Sequence, residues 1–225
     1  MGGFTLAEVL ITLGIIGIVA AITLPSVIGK YQKKVTVERL KKVYTSLSQA
    51  LIYSVKDNDE IEYWDSKYYG NYTTERFVER YLSPYLNMNA VPLDPASKDP
   101  IYDRYHYTRY YLEDGTALSF NLTEALKIEV DLNGDKGPNK YGRDRFIYYL
   151  CFKKMDYFNY GAGTVLFNIP KAGLYPDGYG VKNRNGLLNE HNRGCNSNND
   201  QSFNGAFCTG LIMFDGWEIK DDYNW

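Results

Sequence analysis

One stretch constrains this chain more than any other. From Phe4 to Gly29 it reads FTLAEVLITLGIIGIVAAITLPSVIG, and Glu8 is its only charge. Wound as a helix, Phe4 to Val27 would reach about 36 Å, enough to cross a hydrocarbon core of about 30 Å. A secretory signal peptide would carry a basic start, a shorter apolar core and an Ala-x-Ala-like exit. Met1-Gly2-Gly3 has no Lys or Arg, the apolar run is long, and no such exit follows it.

No second stretch is apolar enough to span a bilayer, so a polytopic membrane protein is excluded. At 44% hydrophobic and 16% aromatic over 225 residues, the chain has ample surface to bury in one domain, which excludes a wholly disordered chain. The net charge of −2 gives no reason to expect a nucleic-acid partner.

A carboxylate near the end of a spanning helix costs free energy unless it is paired, neutralised or within reach of the headgroups. Glu8 lies shallow enough for the last of these. Its surroundings offer a sharper reading. Gly3-Phe4-Thr-Leu-Ala-Glu8, followed by VLITLGIIGIVAAITLP, resembles the N-terminus of type IV pilins and of the pseudopilins of type II secretion.

In that family a prepilin peptidase cuts after the glycine and methylates the new terminal residue. The resemblance implies processing between Gly3 and Phe4, an inner-membrane helix with an extracytoplasmic head, and assembly with other subunits. Glu8 would meet the free amine of Phe4 on a neighbour, since a buried ion pair fixes register. Pro25 matches the proline that kinks the family's helix. Family leaders usually carry Lys or Arg, and this one has none. Between Lys30 and Lys42 lie six basic residues and one acid, a bias that the positive-inside rule would keep in the cytoplasm. The family puts this segment outside.

Beyond Pro25, the apolar positions Val37, Leu40, Tyr44, Leu47 and Leu51 step by three and four, one face of an amphipathic helix. The expected organisation is a leader over 1–3, a filament-core or transmembrane helix over 4–27, its amphipathic half over 28–56 and a head over 57–225. Setting aside the bases of Lys30–Lys42 together with Glu8 and Glu38, 19 basic and 25 acidic residues remain, so the head is acidic.

The head is also rich in tyrosine, with 22 in the chain. The run Tyr102–Tyr107 interleaves Tyr with Arg and could stack on sugars or bases; the plainer reading is a half-buried strand. Thr74–Leu82 predicts a short helix. Tyr107–Leu112 and Thr116–Leu122 flank Glu113-Asp114-Gly115 as a hairpin. Leu126–Leu132 and Phe146–Phe152 read as further strands. Leu211–Phe214 and Trp217–Ile219, about Asp215-Gly216, predict a second hairpin, and 176–207 should be mostly loop. The fold class is α+β, a long N-terminal helix packed on an antiparallel sheet.

Asp131, Asn133 and Asp135 alternate like the first ligands of a calcium loop, with Gly134 and Gly137 allowing tight turns. Lys136 and Gly142 stand where an EF-hand has Gly and Glu. The segment resembles the calcium loop of major pseudopilins, which implies Asp144 as the distal acid. The alternative is a metal-free loop whose Asx side chains cap its own backbone.

In an extracytoplasmic chain Cys195 and Cys208 would form a disulfide, as pilins commonly do near the C-terminus, worth about 3 kcal/mol. Cys151 then reads as a buried strand residue, and a zinc site of His191, Cys195 and Cys208 is the minor alternative. No hydrolase, phosphate-loop or zincin motif is present, and His106 and His191 lie far apart. The expectation is a structural subunit, a minor pilin or pseudopilin, with no catalytic residues and a possible Ca²⁺. The rivals are a membrane-anchored binding module and a surface hydrolase.

Overall fold

The computed structural model describes residues 3, 5–66, 71–91, 108–134, 136–160, 163–196, 203–223 and 225. Asp135, Phe4 and the Tyr102–Tyr107 run fall outside them. Helix α1, Leu6–Asn58, is 53 residues long, or about 80 Å. It stays helical through Pro25, whose ring removes one N–H from the helical ladder.

Two short 3₁₀ turns, Ile61–Tyr63 and Ser83–Tyr85, bracket helix α2, Asn71–Tyr81. Helix α2 ends at Tyr81, and the chain continues through Leu82 into the 3₁₀ turn that carries Pro84 in its first turn. The strands are β1 (Met88–Val91), β2 (Thr108–Leu112), β3 (Ala117–Leu122), β4 (Ala125–Asp131), β5 (Arg145–Cys151), β6 (Met155–Tyr160), β7 (Gly163–Ile169) and β8 (Gly173–Pro176). Six of them form one antiparallel sheet in the order β1-β2-β3-β4-β5-β8, and β6 and β7 pair separately. Helix α3 is Arg184–Asn189 and helix α4 is Cys208–Phe214. The fold is α+β, and the hairpin about Asp114-Gly115 is present, with Gly115 at φ 80°.

The alternation of each strand explains the layers. Leu126, Ile128 and Val130 of β4, with Phe146, Tyr148 and Leu150 of β5, face a core shared with Val37, Leu40, Val43, Leu47 and Leu51 of α1. The intervening residues Ile147, Tyr149 and Cys151 face a second core, which Phe158, Tyr160, Val165, Leu166 and Ile169 of the β6–β7 hairpin close. The central strands are therefore buried on both faces.

That second face also carries charge. Lys127 pairs with Glu129 at 2.8 Å, Arg145 lies 3.6 Å from Glu129 and 3.7 Å from Asp131, and the Tyr141 hydroxyl donates to Glu129 at 3.0 Å. Lys127 sits 5.1 Å from the Tyr160 ring and 5.4 Å from that of Phe203.

The second predicted hairpin is wrong. Cys208–Phe214 is helix α4, and Asp215-Gly216 is its C-terminal cap. The Trp217 N–H donates to the Ile212 carbonyl at 2.8 Å and the Gly216 N–H to that of Met213 at 3.2 Å. With Gly216 at φ 75°, this is the Schellman closure that left-handed glycine permits. Asp-Gly serves a hairpin turn and a helix end alike, and a four-residue apolar run carries too little periodicity to separate them.

Leu47 is buried on the inner face of α1, whereas Ile52 is 68% exposed on the outer one. Leu47→Ala should therefore lower stability by about 2–5 kcal/mol, and Ile52→Ala by no more than about 0.5 kcal/mol. Denaturant unfolding of the full chain in detergent, followed by tryptophan emission, checks the contrast.

Candidate functional site

Helix α1 begins with Thr5 as its N-cap. The Glu8 N–H donates to Thr5 Oγ1 at 3.3 Å, and Thr5 N and Oγ1 both donate to Glu8 Oε2 at 2.8 Å. Reciprocal capping of this kind satisfies donors that the first turn leaves unpaired. Thr5 is a residue that the sequence reading overlooks, although Thr-Leu-Ala-Glu has the spacing of a capping box. Among the described residues Glu8 Oε1 accepts no hydrogen bond. Gly3 is exposed, and Phe4 lies outside the described residues.

From Leu6 to Ile28 the helix is bare. Thirteen large apolar side chains in this stretch are exposed, from Leu6 at 78% to Ile22 at 72% and Ile28 at 50%. Removing them from water is worth on the order of 20 kcal/mol, far more than a folded domain can leave unused. Of the three hydroxyls in the stretch, Thr12 donates to the Glu8 carbonyl and Thr23 to the Val19 carbonyl, each at 2.9 Å, so neither of these donors is stranded if water is excluded. Ser26 follows Pro25 near the far end of the stretch. This helix is long and apolar enough to cross a membrane.

The bare segment is rigidly joined to the head. Lys42 pairs with Asp114 at 2.8 Å, Arg39 donates to the Asp114 carbonyl at 3.3 Å, and Lys33 lies 3.6 Å from Asp221. Partial burial would raise the Asp114 carboxyl, but bonds from Lys42 and Thr116 hold it down at about 2. Tyr44 packs on Tyr148 and Trp217 at ring distances of 5.7 and 5.4 Å.

The loop joining β4 to β5 brings Asp131, Asn133 and Asp144 together. Asp131 Oδ1 accepts the Asn133 N–H at 3.2 Å. Asp144 accepts the N–H groups of Asn139 and Lys140 at 2.8 and 2.7 Å and the Asn133 side-chain amide at 3.3 Å. These are the self-capping contacts of the metal-free alternative. Asp131 also lies 3.5 Å from Arg109. Burial pushes its carboxyl up to about 7 against the pull of Arg145, with Asp144 adding a like charge. Asp135 lies outside the described residues, and among those residues no three His, Cys, Asp or Glu side chains gather as a metal centre.

Cys195 and Cys208 are joined in a disulfide, so neither offers a thiolate and the zinc alternative with His191 falls. Cys151 is free and buried, and burial pushes its thiol up to about 12.

Residues 26–225 match the family of unknown function DUF6613. The chain belongs to that family. The match starts one residue after Pro25, so it covers the packed part of α1 and the head but not the bare apolar segment up to Leu24. No curated protein and no solved structure matches the chain.

Proposed function

We propose that this chain is a pilin-like structural subunit, a minor pilin or pseudopilin, matured by a prepilin peptidase and assembled through α1. The observation that carries the reading is the two-part burial of one unbroken helix. Its second half is embedded in the head, and its first half presents a bare apolar rod with a single acid one turn from its start. A rod of this kind rests in the inner membrane before assembly, with the head outside the cytoplasm. It can then exchange lipid for the rods of other subunits, because both surroundings are apolar.

Glu8 is suited to choosing the register. Both Thr5 bonds fall on Oε2, so Oε1 can accept the α-amine of a neighbour's Phe4 without opening the helix cap. A pair buried in an apolar shaft penalises every misaligned packing that leaves the carboxylate alone. The same capping box favours a second reading. Glu8 already has a task at its own helix start through Oε2, as it would in an anchored binding module that never assembles.

Substitution separates the two. Glu8→Gln keeps an oxygen for the Thr5 cap and loses only the charge. The assembly reading expects membrane levels near wild type and at least a tenfold loss from sheared filaments, measured by quantitative immunoblotting. Equal incorporation of Glu8→Gln and wild type favours the anchored module.

Calcium in the β4–β5 loop is part of the proposal. Asp131, Asn133 and Asp144 would hold it, with Asp135 as a further ligand, and the ion would supply a fixed positive charge between carboxylates that otherwise repel. Support comes from the loop bringing the oxygen-bearing side chains of Asp131, Asn133 and Asp144 together, and hard oxygen donors suit Ca²⁺. A ligand that binds only the folded chain raises its melting temperature. Millimolar Ca²⁺ should therefore raise the midpoint by several degrees over chelator, and equal midpoints would remove calcium from the account.

A further inference from the structure

The Asn-rich segment that the assembly reading leaves without a role borders an open cavity of about 660 Å³ between the β6–β7 hairpin, α3 and the turn that follows it. That volume is within the roughly 300–1,000 Å³ of small-molecule sites. Its lining includes the exposed amides Asn185, Asn189 and Asn192, the rings of Phe167 and Phe203, and Arg193, which is only 4% exposed.

The charges of this cavity are already spent. Arg193 Nη1 donates to Asp177 at 3.0 Å, Nη2 donates to the Tyr160 carbonyl at 3.0 Å, and the guanidinium lies 4.5 Å from the Phe203 ring centre. Glu190 Oε2 accepts the N–H groups of Asn192 and Arg193 at 2.9 and 2.7 Å. Among the described lining residues, phosphates and nucleotides would find no cation but the committed Arg193. The amides of Asn185 and Asn189, by contrast, are only partly used. Asn189 donates to Asn185 Oδ1 at 2.8 Å, and among the described residues no hydrogen bond uses the Asn185 amide nitrogen or the Asn189 oxygen. A donor and an acceptor thus stand side by side on one face of α3, an arrangement matched by two neighbouring hydroxyls, each of which both donates and accepts. Phe167, in the lining, supplies apolar surface on which the C–H face of a sugar ring can lie, while Phe203 is already engaged by Arg193 and Tyr141 and serves as wall.

The frame is rigid. The Cys195–Cys208 disulfide ties the turn carrying Asn192 and Arg193 to the start of α4, and the Asn183 side chain caps α3 by accepting the Gly186 N–H at 2.9 Å. Preorganisation of this kind reduces the ordering cost of binding.

From these observations we propose that the cavity is a binding site for a neutral saccharide, held by Asn185, Asn189 and Asn192 against the Phe167 ring. The site does not depend on the filament reading, since an anchored module would present it equally.

The test places the full chain, in an amphipol or a zwitterionic detergent, on an array of neutral and acidic oligosaccharides. Maltoside and glucoside detergents are avoided because their headgroups would compete. The expected result is retention of a subset of the neutral glycans, displaced by the same sugar free in solution. The double variant Asn185→Ala/Asn189→Ala should bind at least tenfold more weakly with an unchanged melting temperature, because both side chains are exposed. Asn192→Ala should weaken binding independently. Retention of no neutral glycan, retention of acidic glycans alone, or retention unaltered by both variants would overturn the proposal.

Discussion

The structure depends on one seam, the face of α1 that runs from Val37 through Leu40, Val43, Leu47 and Ala50 to Ser54 against the sheet. It makes the head's core and also fixes the direction in which the bare half of the same helix leaves it. A flexible linker would anchor the head but could not orient it. A continuous helix clamped by Lys42 to Asp114 and by Arg39 to the Asp114 carbonyl transmits the position of the rod to the head. A membrane anchor alone would not need this coupling, whereas a filament in which heads must pack in register would.

The second face of the sheet follows another logic. Lys127, Glu129, Asp131 and Arg145 are all nearly inaccessible. Desolvating four charges gives little net stability, and removing one member would strand its partners. Glu129 stays below the usual carboxylate range although burial, the largest influence on it, acts the other way; Lys127 and Arg145 prevail. Such a belt fixes the register of β4 against β5, where Asp131 lies opposite Arg145. It thereby sets the ends of the loop that holds Asn133 and Asp144.

Much of this is legible in the sequence. The apolar run, the step of three and four from Val37 to Leu51 and the Asp-Gly hairpin each rest on a local rule, and the fold follows them. What escaped the reading is mostly tertiary. Strands β6 and β7 belong to a hairpin whose outer side chains, such as Tyr157 at 64% exposure, blur the alternation. Helix α4 is too short to show a period, and its Asp-Gly cap imitates a hairpin turn. The charged belt lies within strands whose burial on both faces could not be inferred from Lys127 and Glu129 standing in an otherwise apolar run. The Asn-rich segment reads as loop because its amides gain meaning only when α3 brings Asn185 and Asn189 onto one face.

The central claim is that α1 is both anchor and assembly element, and its chemistry begins at the residue beside Thr5. The most direct measurement is the N-terminal mass of the chain recovered from its native host, in membrane and in sheared-filament fractions. The account predicts a chain that starts at N-methylated Phe4 and is present in both. A chain that keeps Met1-Gly2-Gly3 and occurs only in membranes would contradict it, because Glu8 would then have no neighbouring Phe4 amine to meet.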